Sequence, residues 1–247
     1  MKRLPCICGL ILAALAAAAE TLSPEAFLER VRYPQTGRSM AVLSGVMQHM
    51  REGGKMETVP IRLGLLIGPD GTRGQLILAE DEDYRIEQTP NKDAGGKMKI
   101  SVRPARPLPP ETARLRRYGL NPTDLTMGFV HYDFRRELAE SRVKGLPCRV
   151  LVLSAPDGET ARAYILRDHF FPLKVEFFAD EKTAVDGTRP LRTMEVGSFR
   201  RKNGLYYAEV VDLRGPDWRS RVTFDRADLS VPPAGMPPPF REPKPAK

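Results

Sequence analysis

From Phe134 to Phe224 the chain is broken at short intervals by turn-forming clusters: Lys144-Gly145, Pro156-Asp157-Gly158, Asp186-Gly187, Lys202-Asn203-Gly204 and Gly215-Pro216-Asp217. Turns this short join only antiparallel neighbours, because a parallel return needs a crossover of a dozen or more residues. The segments between them alternate. In DHFFPLKVEFFADE, Phe171, Leu173, Val175 and Phe177 fall on one face, and Lys174 and Glu176 on the other. Met194 and Val196 likewise oppose Glu195, and Val222 and Phe224, with Ser220, oppose Arg219, Arg221 and Thr223. A period of two with one apolar face marks half-buried strands. The expectation is a long antiparallel meander, apolar on one side and polar on the other.

The N-terminal half has the same texture. IRLGLLI places Ile61, Leu63, Leu65 and Ile67 on one face and Arg62 and Gly64 on the other, and the Pro-Asp-Gly-Thr turn at 69–72 leads into the returning strand GQLILAE. Residues 40–51 and 83–89 add further strands. Helices are few and short. Ser23, Pro24 and Glu25 read as an N-cap, a first-turn proline and an acid on the positive end of a helix dipole. A basic helix is expected near 110–120 with Leu115 and Tyr118 inward, and Thr123 and Asp124 read as caps of another carrying Leu125, Met127 and Phe129. The stretch 91–122, with NKDAGGK and RPARPLPPE, reads as an exposed connection. The fold class is therefore mainly β (α+β): a curved, incomplete antiparallel β-barrel with short helices covering the open side. The proline-rich tail at 232–247 reads as a segment wrapped over the domain as far as Phe240.

The start, MKRLPCICGLILAALAAAAE, has a basic tip, an apolar run and small residues before Glu20, the build of a secretory signal peptide over residues 1–19. One domain over 20–231 follows, then the tail. No cysteine stands just after the apolar run, so lipid attachment is not expected. Cys148, inside CRVLVL, is the cysteine left after cleavage and reads as a small core residue. The formal charge of +8 loses two with Lys2 and Arg3. An exported chain of this modest excess meets anionic headgroups rather than nucleic acid, and no nucleic-acid-binding motif is present.

Catalytic signals are absent. His49, His131 and His169 stand alone, without a metal-ligand spacing, and there is no GxSxG elbow, phosphate loop or GxGxxG. The acids at 80–83 and 180–181 read as solvated strand ends. No catalytic residue, metal ligand or cofactor is expected.

Four stretches carry a resemblance: DLTMGF at 124–129, VKGLPCRVLVLSAP at 143–156, ARAYILRDHFFPLKVEFF at 161–178 and MEVGSFRRKNGLYY at 194–207. In this order they resemble the LolA-like family of outer-membrane lipoprotein-sorting proteins, over about half of the chain beyond the leader. The lone Trp218 and the proline-rich insert near 104–110 depart from that pattern. The resemblance implies a half-barrel plugged by helices, with a cavity for acyl chains and no catalytic residue. It also implies a periplasmic monomer whose cargo is an acylated lipoprotein or phospholipid, served by membrane-associated donor and acceptor proteins.

On that reading Phe171, Leu173, Val175, Phe177, Met194, Val196, Val222 and Phe224 are the candidate cavity-lining residues; without a cavity they are ordinary core. Arg114, Arg116 and Arg117 are candidates for steering the protein to anionic membranes. Two other readings stand beside it: an envelope interaction module using a sheet edge or the proline-rich tail, and a hydrolase without a recognisable motif.

Overall fold

The computed structural model describes residues 22–32, 37–90, 98–105, 113–156, 158–186, 188–233 and 235–240. The expected signal peptide, most of the proline-rich insert and the end of the tail lie outside the described residues. Twelve strands form one antiparallel sheet: β1 (Ser39–Arg51), β2 (Glu57–Gly68), β3 (Gly71–Leu78), β4 (Glu82–Pro90), β5 (Met98–Pro104), β6 (Asp133–Val143), β7 (Leu146–Ser154), β8 (Thr160–Leu166), β9 (Pro172–Phe178), β10 (Arg192–Lys202), β11 (Leu205–Arg214) and β12 (Trp218–Ser230). Their spatial order is β5-β4-β3-β2-β1-β12-β11-β10-β9-β8-β7-β6. Two meanders are thus joined where the first strand pairs with the last. Asn203-Gly204 and Lys144-Gly145 hold the left-handed φ pairs (51° and 80°; 52° and 80°) that two-residue hairpins require.

The edge strands β5 and β6 are consecutive in sequence but stand at opposite ends of the sheet. The chain between them has to cross the open side of the curl, and this crossing carries α2 (Arg114–Arg117) and a 3₁₀ turn (Gly128–His131). The helix α1 (Pro24–Arg32) joins it, capped by the Ser23 hydroxyl accepting from the Ala26 amide at 3.2 Å, and buries Phe27 and Leu28. The main core, with Leu43, Met47, Leu63, Phe129, Phe177 and Phe224, fills the space between the inner face and this cover. The chain is therefore a curled, unclosed half-barrel with few short helices. At the seam the register of β1 and β12 shifts between Ser44 and Gly45, and a Cβ on Gly45 would stand 1.8 Å from the Thr223 carbonyl oxygen. Only glycine permits so close an approach of two backbones at this bulge.

Several expectations need correction. Residues 98–104 are a strand, not part of an open connection. MKISVRP alternates, and as an edge strand β5 tolerates Pro104 and exposed cations. Glu82 is not a solvated strand end but is buried, accepting from the Tyr84 hydroxyl and the amides of Arg114 and Leu115. Asp180 caps a short helix, α3 (Glu181–Val185), by accepting from the Thr183 amide at 2.8 Å. Thr123 and Asp124 open no α-helix; the Asp124 carboxylate instead accepts from the preceding Asn121 amide at 2.7 Å, which holds a turn. In β9 the parity breaks. Pro172 faces Ile165 and Lys174 faces Tyr164, so Leu173 is the extra residue of a bulge. Val175 and Phe177 point to the main core, whereas Leu173 and Phe171 join a second cluster with Val143, Cys148, Leu166 and Val196.

The tail runs over the outer face of β2. A Cβ on Gly64 would stand 3.2 Å from the Pro239 carbonyl oxygen, Arg85 lies 4.9 Å over the Phe240 ring, and Arg38 donates to the Met236 carbonyl. Leu66, on that same outer face, is buried.

Candidate functional site

An apolar cavity of about 500 Å³ lies between the inner face and the crossing segment. Its walls come from both meanders: Ala41 and Leu43 of β1, Leu63 and Leu65 of β2, Met194 of β10, Phe224 of β12. The roof is α1 with Arg30 and Val31, and the crossing with Leu125, Met127 and Val130. The cavity occupies the end of the sheet where β1 begins. Volumes of 300–1,000 Å³ with mostly apolar walls are typical of small-molecule sites.

Of the eight candidate lining residues, Phe171, Met194, Val196 and Phe224 line this cavity. Leu173, Val175, Phe177 and Val222 are packed into the core away from it. Alternation identifies the inward face of a strand, but not where along the strand the cover lifts off. The aromatic wall from Phe199, Tyr206 and Tyr207 was not singled out in the sequence. Its signal was the aromatic content of the strands flanking Asn203-Gly204. The arginines of α2 stand at the other end of the sheet, near where β1 finishes. Arg114 pairs with Asp81 at 2.5 Å and Arg117 with Glu57 at 2.7 Å, while Arg116 is exposed.

The cover is tied down by a polar network. Arg192 of β10 donates to Asp124 at 2.6 Å and reaches Glu159 at 3.4 Å, with its guanidinium 3.5 Å over the Phe177 ring. The Tyr132 hydroxyl donates to Glu159 at 3.1 Å. Arg32 fastens α1 to the crossing by donating to the carbonyls of Val130 and Tyr132, each at 2.8 Å. Two lining residues, Met127 and Phe170, hold left-handed φ values of 54° and 53°. Such strain in non-glycine residues persists only where packing imposes it. Phe170 is held by Phe27, 5.1 Å away, and by Arg30 at 5.4 Å. Gln88, also at the wall, donates to Thr126 at 2.7 Å; its buried Oε1 has no partner among the described residues.

The sheet splits beside the cavity. β9 and β10 pair only from Arg192 to Glu195, and beyond this Leu166, Phe171 and Pro172 on one side and Val196 and Phe199 on the other line the cavity. The β10 carbonyls released at the split are satisfied from the β6–β7 turn, where Lys144 donates to Val196 at 2.7 Å and Gly197 at 3.0 Å.

His131 lines the roof, and burial, with the nearby Arg32 charge, lowers its pKa to about 4. Because the folded value lies below the ordinary 6.5, the neutral imidazole stabilises the fold above pH 6.5, and this contribution is lost as pH falls towards 4. The loss is expected to reach at most about 3 kcal/mol. Urea unfolding between pH 7 and 4 should show it, with a flatter profile for His131→Gln; identical profiles would exclude His131 as the source. Among the described residues no three His, Cys, Asp or Glu side chains are grouped to hold a metal ion. Cys148 is buried, which pushes its thiol pKa up.

No family model matches the sequence, and no curated protein matches it. Solved structures do. A DUF1329 family protein from Desulfovibrio piger superposes with a TM-score of 0.60 at 15% identity, covering 85% of this chain and 92% of its own. A putative outer membrane lipoprotein-sorting protein domain from Vibrio parahaemolyticus gives 0.55 at 16%, covering 85% and 93%. A LolA superfamily protein from Nitrosomonas europaea gives 0.50 at 14%, covering 86% and 96%. The chain has the LolA-like fold, the likeness that the four sequence stretches suggested.

Proposed function

We propose that this protein is an exported, non-enzymatic carrier of acylated or otherwise amphiphilic cargo, holding acyl chains in the cavity beneath the crossing segment. The observation that carries the reading is the cavity itself: an apolar space of about 500 Å³ left between sheet and cover in a LolA-like fold. Each methylene buried there contributes about 0.8 kcal/mol. Release to an acceptor then requires an equally apolar environment at the acceptor. The leader over residues 1–19, with cleavage near Ala19, supports export to the periplasm. Among the described residues no helix is long and apolar enough to cross a membrane.

The interaction-module reading is less favoured, because the described part of the tail already lies on its own sheet. Mass spectrometry of organic extracts of the detergent-free, envelope-purified protein, beside an unrelated periplasmic control, tests the carrier reading. Phospholipid or acylated peptide at near one per chain is the expected result. An extract matching the control, together with no uptake of a fluorescent fatty acid in vitro, would sink it.

A further inference from the structure

Around the split between β9 and β10 the surface carries exposed aromatic and cationic side chains. Phe199 and Tyr206 are 40% and 52% exposed, and their rings meet edge to face at 6.1 Å. Phe199 also lies 6.1 Å from Phe171, so an aromatic row runs from solvent to the cavity wall. Arg201 covers the Tyr206 ring at 5.6 Å. The β6–β7 turn, anchored beside this row by Lys144, adds Leu146, 40% exposed. The acids nearby are already engaged: Glu195 with Lys144 at 3.3 Å and Glu209 with Arg200 at 2.5 Å. Arg201 forms no ion pair among the described residues and stacks on its tyrosine.

We propose that this patch, formed by Phe199, Tyr206, Arg201 and Leu146, is the surface on which the protein docks onto an anionic lipid bilayer. Aromatic side chains with a polar tip favour the headgroup region, and an unpaired arginine adds attraction to anionic lipid. The patch is continuous with the cavity through Phe171 and Phe199, so docking brings the split in the sheet against the bilayer, where an acyl chain can pass without crossing water. The arginines of α2, at the far end of β1, are not part of this surface. The proposal assumes the carrier reading for its purpose, but the docking itself is measured separately from cargo binding.

The test is co-sedimentation of the mature chain with vesicles of phosphatidylcholine alone and of phosphatidylcholine mixed with an equal part of phosphatidylglycerol. Binding is expected to the mixed vesicles, to weaken as salt is raised, and to be about fivefold weaker to the neutral ones. Arg201→Gln should weaken it about fivefold, the effect of one cation at an anionic surface. Phe199→Ser with Tyr206→Ser should lower it at both compositions. Arg201 is exposed and Phe199 and Tyr206 are 40% and 52% exposed, so far-UV circular dichroism should match the wild type and confirm folding, with Tm within a few degrees of it. Uptake of a fluorescent fatty acid by Arg201→Gln should be unchanged, which separates docking from cargo binding. Equal partition to both vesicle types, no binding at all, or binding unaltered in folded variants would each overturn the proposal. Equal loss on substituting Arg116 instead would place the surface at α2.

Discussion

Asp124→Ala is expected to lower the stability of the fold by about 3–5 kcal/mol, the cost of leaving a buried charge without its partner. Asp124 is buried and Arg192 nearly so, with side-chain exposures of 3% and 13%. Removing the carboxylate strands the Arg192 guanidinium against Phe177 with only the longer contact to Glu159. It also deprives the Asn121 amide of its acceptor, so the turn that leads into the cover loosens. Urea unfolding measures the loss. The double variant Asp124→Leu with Arg192→Met should recover much of it, because no charge is then buried alone. A loss below about 1 kcal/mol in the single variant would mean that the network does not hold the cover down.

Ala41→Trp is expected to weaken acyl-chain binding roughly 100-fold while leaving Tm within a few degrees of the wild type. Ala41 lines the cavity between Leu65 of β2 and Leu229 of β12, its cross-strand partners. An indole there takes the space of about four methylenes, and about 3 kcal/mol of burial is lost with them. The same ring fills a space that is empty of protein atoms, so overpacking strain stays small compared with a substitution in the core. Titration with a fluorescent fatty acid reads the effect. Unchanged affinity in a folded Ala41→Trp protein would show that the apolar ligand sits elsewhere. Phe177→Ala, in contrast, should cost stability, since Phe177 is a core residue packed edge-on against Phe129 at 6.0 Å.

Much of this molecule was legible in its sequence because strand alternation and turn chemistry are local signals. The hairpins at Asn203-Gly204, Lys144-Gly145 and 69–72, the Ser23 cap and the inward Leu115 and Tyr118 all depend on residues a few positions apart. The resemblance in the second half led to the LolA-like half-barrel. The signals that failed were those in which a distant partner overrides a local preference. Glu82 and Asp124 are acids whose fate is set by Arg114, Leu115 and Arg192, tens of residues away. Leu173 left its expected face because β8 pairs with β9 through a bulge that single-strand periodicity does not contain.

The sequence by itself determined an antiparallel meander with one apolar face, because the pleat repeats every two residues and short turns permit no other neighbour. Only the tertiary structure decided what that face encloses. The pairing of β1 with β12 sends β5 and β6 to opposite edges, and the chain joining them must then roof the curl. Where the roof lies close, at Phe129, Phe177 and Val222, the apolar face is solid core. Where it stands off, at Ala41, Met194 and Phe224, the same alternation leaves a cavity. Identical side-chain chemistry gives packing in one place and space in the other, because the distance between two layers is a property of the whole chain's path.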